Sequence, residues 1–251
     1  MTHAIPAATV IIVRDRPGGH EVLMVERHAG LAFAAGAAVF PGGRVDEDDH
    51  RIAATVAPAD IDVEDAAARV AAIRESLEEA GAAIGISGID ANAIREWRHA
   101  LHAGTAFSSL LAQGGAMLDL AALTPFARWR PEAALKRIYD TRFYLASAGA
   151  DVSELMNGDG HEAVRVFWTS PAEILTSAGE GAPHIIFPTR RNLERLAAHP
   201  GYAALREHAL RTPITTITSR VEQRDGEDWL TIPEELGYPV TAERLATARR
   251  G

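Results

Sequence analysis

Residues 74–82 read Arg74-Glu75-Ser76-Leu77-Glu78-Glu79-Ala80-Gly81-Ala82, and they close a stretch that begins at Asp62. Asp62 can cap a helix from Val63 to Ala80, and Gly81 is a suitable stop. At about 100° per residue, Val63, Ala66, Val70, Ile73, Leu77 and Ala80 fall in one apolar stripe that must face a core. Glu75, Glu78 and Glu79 fall on the opposite side. Three carboxylates at i, i+3 and i+4 repel one another, and Arg74, four residues before Glu78, neutralises only part of that charge. Helix stability gives no reason for such a cluster. A hard divalent cation does, because Mg2+ takes oxygen ligands, keeps several waters and is held by a few carboxylates beside an anionic substrate. The competing reading is an acidic, solvated helix face.

Outward from this helix, Phe40-Pro41-Gly42-Gly43 forces an irregular backbone with exposed amides and carbonyls. Ala7–Arg14 and Glu21–Arg27 read as a β-hairpin around Arg16-Pro17-Gly18-Gly19-His20. The acidic run Asp46-Glu47-Asp48-Asp49 reads as a solvated loop. Residues from Asn92 to Leu120 look helical, with a break at Gly104. Arg137–Ala146 and Val164–Trp168 read as strands; Pro171–Ser177, Thr189–Ala198 and Tyr202–Arg211 read as helices. Ile214–Val221 and Trp229–Ile232 flank Gly226 as a late hairpin. This mixed element order favours an α+β fold over a regular doubly wound sheet.

The 251-residue chain has a net charge of −9 and no cysteine. The charge argues against nucleic-acid binding over a broad surface, although a local pocket or a bound cation can still favour a small anion. Disulfides, thiolate metal sites and a Cys nucleophile are excluded. No apolar run approaches a membrane span, and Ala7–Val13 reads as a strand rather than a signal peptide, so a cytoplasmic protein is expected. There is no Walker loop or dinucleotide Gly motif, and the histidines show no ligand spacing.

Arg74 to Ala82, preceded by the Pro-Gly-Gly turn, resembles the Nudix hydrolase superfamily. The signature runs Gly, five residues, Glu, seven residues, then Arg-Glu-aliphatic-x-Glu-Glu-x-Gly-aliphatic. With Gly43 as the first Gly, the Glu six places on is Asp49. Arg74 lies 31 residues after Gly43, so about 17 residues are inserted, and Ser76 and Ala82 replace aliphatics. The segment Leu23-Met24-Val25-Glu26-Arg27-His28, with Gly36 and Phe40 to Gly43, is similar to the branch that cleaves coenzyme A. Ala32, Val25 and His28 depart from that branch's pattern. Pro125 to Ala146 looks like the larger peroxisomal-type members, which also have a lengthened box.

The resemblance implies a Nudix fold, an α/β/α sandwich around a mixed sheet. It implies one domain over residues 1–251, with a helical insertion at about 90–122 and a C-terminal extension at about 199–251. The insertion and extension are placed to cap a substrate or to build a homodimer. The implied activity is divalent-metal-dependent attack of water on a diphosphate, with Mg2+ or Mn2+ as cofactor and a small nucleoside diphosphate derivative as partner. Glu78 and Glu79 match the metal-binding pair. Glu75 matches a ligand that also takes a proton from water, and Arg74 the residue that orients it. The Gly42 carbonyl matches the backbone ligand, and Glu162, with Asp159 second, is the candidate for a further carboxylate. Arg27, Phe40, Gly43 and Arg128 are candidates for substrate contact, with Trp129 lining the pocket or belonging to the scaffold. Coenzyme A or an acyl ester is the first substrate expectation, giving a phosphopantetheine fragment and adenosine 3′,5′-bisphosphate. ADP-ribose or a dinucleotide is the alternative, and a catalytically inactive nucleotide-binding module the third reading.

Overall fold

The computed structural model describes residues 4–28, 30, 34, 36–131, 138–149, 163–179 and 183–248. The first two β-branched stretches pair as an antiparallel hairpin, β1 (Ile5–Arg16) and β2 (Gly19–Arg27). The turn uses Gly18 at φ +87°, a conformation open to glycine at no steric cost. Further strands join the sheet: β3 (Ala38–Val39), β4 (Gly42–Arg44), β7 (Thr124–Trp129), β8 (Tyr139–Ser147), β9 (Ala163–Thr169) and β10 (Thr216–Ile217), while β5 (Ile86–Ser87) and β6 (Met117–Leu118) pair separately. The order is β10-β7-β8-β1-β2-β3, with β4 on β1 and β9 on β2. β1 runs parallel to β8 and antiparallel to β2, so the sheet is mixed, as expected.

The hairpin opens where the chain needs it. β2 pairs with β1 only as far as Val13↔Val22, and further along it pairs with β3 at Val25↔Val39. The other end of β1, Ala7 to Thr9, pairs with β4. The chain crosses this opening at Phe40-Pro41, where the Pro41 carbonyl accepts the Val10 N–H at 3.0 Å. That crossing lays Gly42 and Gly43 along β1.

Alternation along the strands feeds two cores. Ala8, Val10 and Ile12 of β1 face a core containing α2 (Val63–Ala80), α3 (Ala91–His102) and α4 (Phe107–Gly114), with α1 (Glu47–Val56) packed alongside. Ile11 and Val13 face α5 (Pro171–Gly179), α6 (Phe187–Ala197) and α7 (Tyr202–Arg211) on the other side. The α/β/α sandwich is present. Among the described residues no helix is long and apolar enough to cross a membrane.

α2 has the expected bounds. The Asp62 carboxylate accepts the Glu64 and Asp65 amides, and Gly81 ends the helix in the left-handed region at φ 66°. Its surroundings differ from the amphipathic picture. Val63, placed in the buried stripe, is 48% exposed, whereas Ala67, Ala68, Ala71 and Ala72 are buried as well. The side opposite the sheet is covered by α1 and α3, so the carboxylates do not form a solvated face. Glu79 is only 3% exposed.

Two further segments depart from the sequence reading. Asp46 to Asp49 is not a solvated loop. Asp46 caps α1, and Asp49 is fully buried. The late hairpin is β11 (Arg220–Arg224) with β12 (Glu227–Thr231), extended by β13 (Ala242–Arg244). The residues expected as one strand from Ile214 divide instead between β10 and β11. β10 adds to the main sheet beside β7. Leu205, Ala209, Ile217, Ile232 and Tyr238 lie in the second core, which joins the chain beyond residue 199 to the sheet that carries the site.

Candidate active site

A cavity of about 750 Å³ lies where the β4 end of the sheet meets the C-terminal turns of α2. Glu75, Glu78 and Glu79 all line it, as do Arg27, Phe40, Gly42 and Gly43. The two glycines are required by close approach. A Cβ on Gly42 would overlap the Ala8 carbonyl, and one on Gly43 would overlap the Glu75 carboxylate. Gly43→Ala is therefore expected to push the Glu75 carboxylate aside while leaving the sheet paired. A misplacement on the ångström scale costs on the order of 10²-fold in rate, to be read as kcat at unchanged circular dichroism. An unchanged kcat would mean that Glu75 needs no such fit.

Arg74 organises the acidic cluster. Its Nε and Nη2 donate to both oxygens of Asp49 at 3.0 and 2.9 Å, and its Nη1 donates to Glu75 Oε1 at 2.8 Å. Nη2 also reaches the Arg44 carbonyl at 2.9 Å. Asp49 further accepts the Asp46 N–H at 2.8 Å. Asp49, in the first turn of α1, is thereby held against Arg74 of α2, 25 residues on. Burial works against the Arg74 charge. Hydrogen bonds and attraction from Asp49 and Glu75 outweigh it and raise the guanidinium above its ordinary value.

Burial pushes the Glu75 carboxyl up to about 7, with repulsion from Glu78 and Asp49 adding to it and Arg74 opposing. Burial of the charge, more than crowding by its acidic neighbours, sets this direction. Between the ordinary value of 4.5 and about 7, the folded chain holds a proton that the unfolded chain has released. The Glu75 contribution to stability is therefore full below about 4.5 and is lost as pH rises through about 7. A cation would compete for the same carboxylate. Mn2+ binding is expected to weaken below about pH 7 and to release a proton there, read by calorimetry in buffers of different ionisation enthalpy. Binding without proton release at about pH 6 would contradict this.

The donor set suits a hard divalent cation: three carboxylates on one cavity wall, beside the Gly42 backbone. Within the described residues no three His, Asp or Glu side chains close to metal-ligand geometry among themselves. Each carboxylate is turned toward a protein donor. Glu79 Oε2 accepts the Gly42 N–H at 2.9 Å, and Arg27 Nη1 lies 3.4 Å from Glu79 Oε1. Glu78 Oε1 lies 3.4 Å from His102 Nδ1.

The cavity floor is built across strands. Arg44, Ala7, Thr141 and Trp129 are successive register partners on β4, β1, β8 and β7, so they share one face. Thr9 and Phe143 form the next row. At a strand spacing of about 4.8 Å the first row spans about 14 Å, long enough to support an extended organic group. Ala7, Thr9 and Thr141 leave space, and Trp129 closes the far end. Trp129 is fixed edge-on to Phe187 and Tyr238 and donates its indole N–H to Tyr238 Oη at 3.2 Å. Ile186, Ser219 and Leu230 also line the cavity, as do Leu101, His102 and Phe107 of α3 and α4.

Not every expected residue joins this group. Arg128 is not brought to the cavity. Alternation along β7 turns it to the opposite face from Trp129, where it forms a bidentate pair with Asp140 at 2.7 Å to each oxygen. Phe40 is 2% exposed and belongs to the second core while also touching the cavity. Glu162 and Asp159 lie outside the described residues. Arg98 and His102 of α3, which contact the C-terminal turn of α2, are absent from the sequence reading. Their signal was present as a basic pair four residues apart, shortly after a helix that ends in carboxylates.

A mixed sheet between helices, with an Arg-Glu-x-x-Glu-Glu helix end over a cavity and a Pro-Gly-Gly turn beneath it, defines a Nudix hydrolase domain. The family model described as the NUDT19 Nudix domain matches residues 53–196, more than half of the chain. The chain belongs to that family, and its reaction is hydrolysis of a diphosphate linkage. The crystal structure of a NUDIX hydrolase from Alicyclobacillus acidocaldarius is similar at 28% identity over 81% of this chain and 95% of that one, with a TM-score of 0.70. More distant likenesses are an Ap4A hydrolase from C. elegans (15% identity, 78% of this chain and 97% of that one, TM-score 0.39) and the NUDIX domain of Shewanella oneidensis NrtR complexed with ADP ribose (12%, 77% and 86%, TM-score 0.43). No curated protein matches the sequence.

Proposed function

We propose that the protein hydrolyses the diphosphate linkage of coenzyme A or an acyl-coenzyme A with Mg2+ or Mn2+, yielding a phosphopantetheine fragment and adenosine 3′,5′-bisphosphate. The supporting observation is the position of Arg27. This residue of the coenzyme-A-type segment stands at the same cavity as the three carboxylates, 3.4 Å from Glu79.

Glu78 and Glu79, with Glu75 and the Gly42 carbonyl, would hold the cation. When bound, it would neutralise diphosphate charge and acidify the attacking water. Glu75 takes a proton from that water, which the cation would make acidic enough for an ordinary carboxylate to accept it. Arg74 holds the Glu75 carboxylate through Oε1, leaving Oε2 for the proton. The water oxygen bonds to one phosphorus as the bridging P–O bond breaks, and the bridging oxygen leaves with the other phosphate. Arg27 contacts a phosphate oxygen as a charge-assisted donor. The floor from Ala7 to Trp129 supports the organic part of the substrate, with Phe40 and Gly43 shaping its near end.

The test is a set of kcat/KM values with each cation for coenzyme A, an acyl-coenzyme A, ADP-ribose, NADH and a diadenosine polyphosphate. Coenzyme A or its acyl ester is expected to lead. A higher value for ADP-ribose or a dinucleotide would overturn the substrate assignment and leave the reaction class in place.

A further inference from the structure

α2 ends in a charge arrangement that its own Arg74 compensates only in part. A helix C-terminus carries partial negative charge on carbonyls without helical partners. α2 adds Glu75, Glu78 and Glu79 there, with no basic residue in its last turn. Gly81 turns the chain away, and the Ala82 N–H donates back to the Ser76 carbonyl at 3.0 Å. That amide does not serve the Glu78 carbonyl.

The donor comes from α3. Arg98 Nε donates to the Glu78 carbonyl at 2.9 Å, and its Nη2 donates to the Glu79 carbonyl at 2.6 Å. One guanidinium therefore grips the backbone of the two residues whose side chains match the metal-binding pair. One helical turn on, His102 meets the Glu78 side chain. α3 is itself braced. Trp97 packs edge-on to Phe107 of α4 at 6.3 Å between ring centroids. α4 has no side-chain cap from Ala106. Asp48 of α1 supplies one, accepting the Ser108 N–H at 2.9 Å and its hydroxyl at 2.7 Å. α1 and α4 thus hold one another, and Arg98 links the helices α3 and α4 to the end of α2.

We infer that Arg98 is a positioning residue for divalent-cation binding, setting Glu78 and Glu79 by holding their carbonyls. This rests on the reading of the α2 carboxylates as cation ligands. The sign of the effect separates positioning from charge. Deleting a nearby positive charge would by itself tighten cation binding, whereas losing the grip on both carbonyls loosens it. A purely structural role would lower Tm without changing the affinity of the folded protein.

The experiment is a Mn2+ titration, reading free Mn2+ by electron paramagnetic resonance, on wild type, Arg98→Ala, Arg98→Gln and Glu78→Gln at matched folded fraction. Arg98→Ala is expected to bind Mn2+ at least ~10-fold more weakly, the usual scale for residues that support metal ligands. Arg98→Gln is uncharged but able to donate to one carbonyl, and is expected to fall between. It also carries the test if Arg98→Ala does not fold. Equal or tighter Mn2+ binding by the Arg98 variants, with Glu78→Gln weakened, overturns this inference alone. Wild-type binding that is absent, or unaffected by Glu78→Gln, overturns the cation reading itself and this inference with it.

Discussion

Glu75→Gln is expected to lower kcat by roughly 10²–10⁴-fold, the range for loss of a positioned general base, without destabilising the fold. The amide keeps an oxygen for the Arg74 Nη1 bond at 2.8 Å but cannot take a proton from water and carries no charge for a cation. Stability should move the other way. The Glu75 carboxylate is disfavoured by burial first and by Glu78 second, so removing its charge relieves the cost of burying it. In metal-free protein above about pH 7 the variant's Tm should equal or exceed that of wild type. Such a trade of stability for activity is common where function keeps charges together. Retained turnover would remove Glu75 from the reaction, and a large fall in Tm would mean that its charge stabilises rather than strains the fold.

Asp49→Ala is expected to cost about 3–5 kcal/mol of folding free energy, the scale for removing one partner of a buried ion pair. Asp49 is 0% exposed and accepts two bonds from Arg74 and one from the Asp46 amide. Its loss leaves the Arg74 guanidinium, itself 8% exposed, short of its main partner and removes the tie between α1 and α2. Urea denaturation at neutral pH reads the change as a lower midpoint. A shift below about 1 kcal/mol, the value of an exposed pair, would mean that water replaces Asp49 freely.

The course of α2 follows from three local signals, Asp62, the apolar spacing and Gly81, and it is found where they put it. Its burial does not follow from them. Periodicity shows which side meets the sheet, but it cannot show that α1 and α3 cover the other side, because those contacts join residues far apart in the chain. Asp46 to Asp49 makes the same point. Four acidic residues in a row suggest a solvated loop, yet the run caps a helix and sends Asp49 inward, since Arg74 lies waiting 25 residues on. Arg128 stands one residue from Trp129 on a strand, and alternation alone places the two on opposite faces, so both cannot meet one substrate. Arg98 could have been reached by asking which cation answers a helix that ends in three carboxylates. Its partner carbonyls could not, because backbone groups carry no sequence signature.

The most direct measurement is hydrolysis of coenzyme A in ¹⁸O-labelled water with Mg2+ or Mn2+, followed by mass spectrometry of the products. The account predicts a phosphopantetheine fragment and adenosine 3′,5′-bisphosphate, one of them carrying a single ¹⁸O on phosphorus, formed only with added cation and lost in Glu75→Gln. Intact coenzyme A with both cations, products without phosphorus-bound label, or full activity in Glu75→Gln would contradict it.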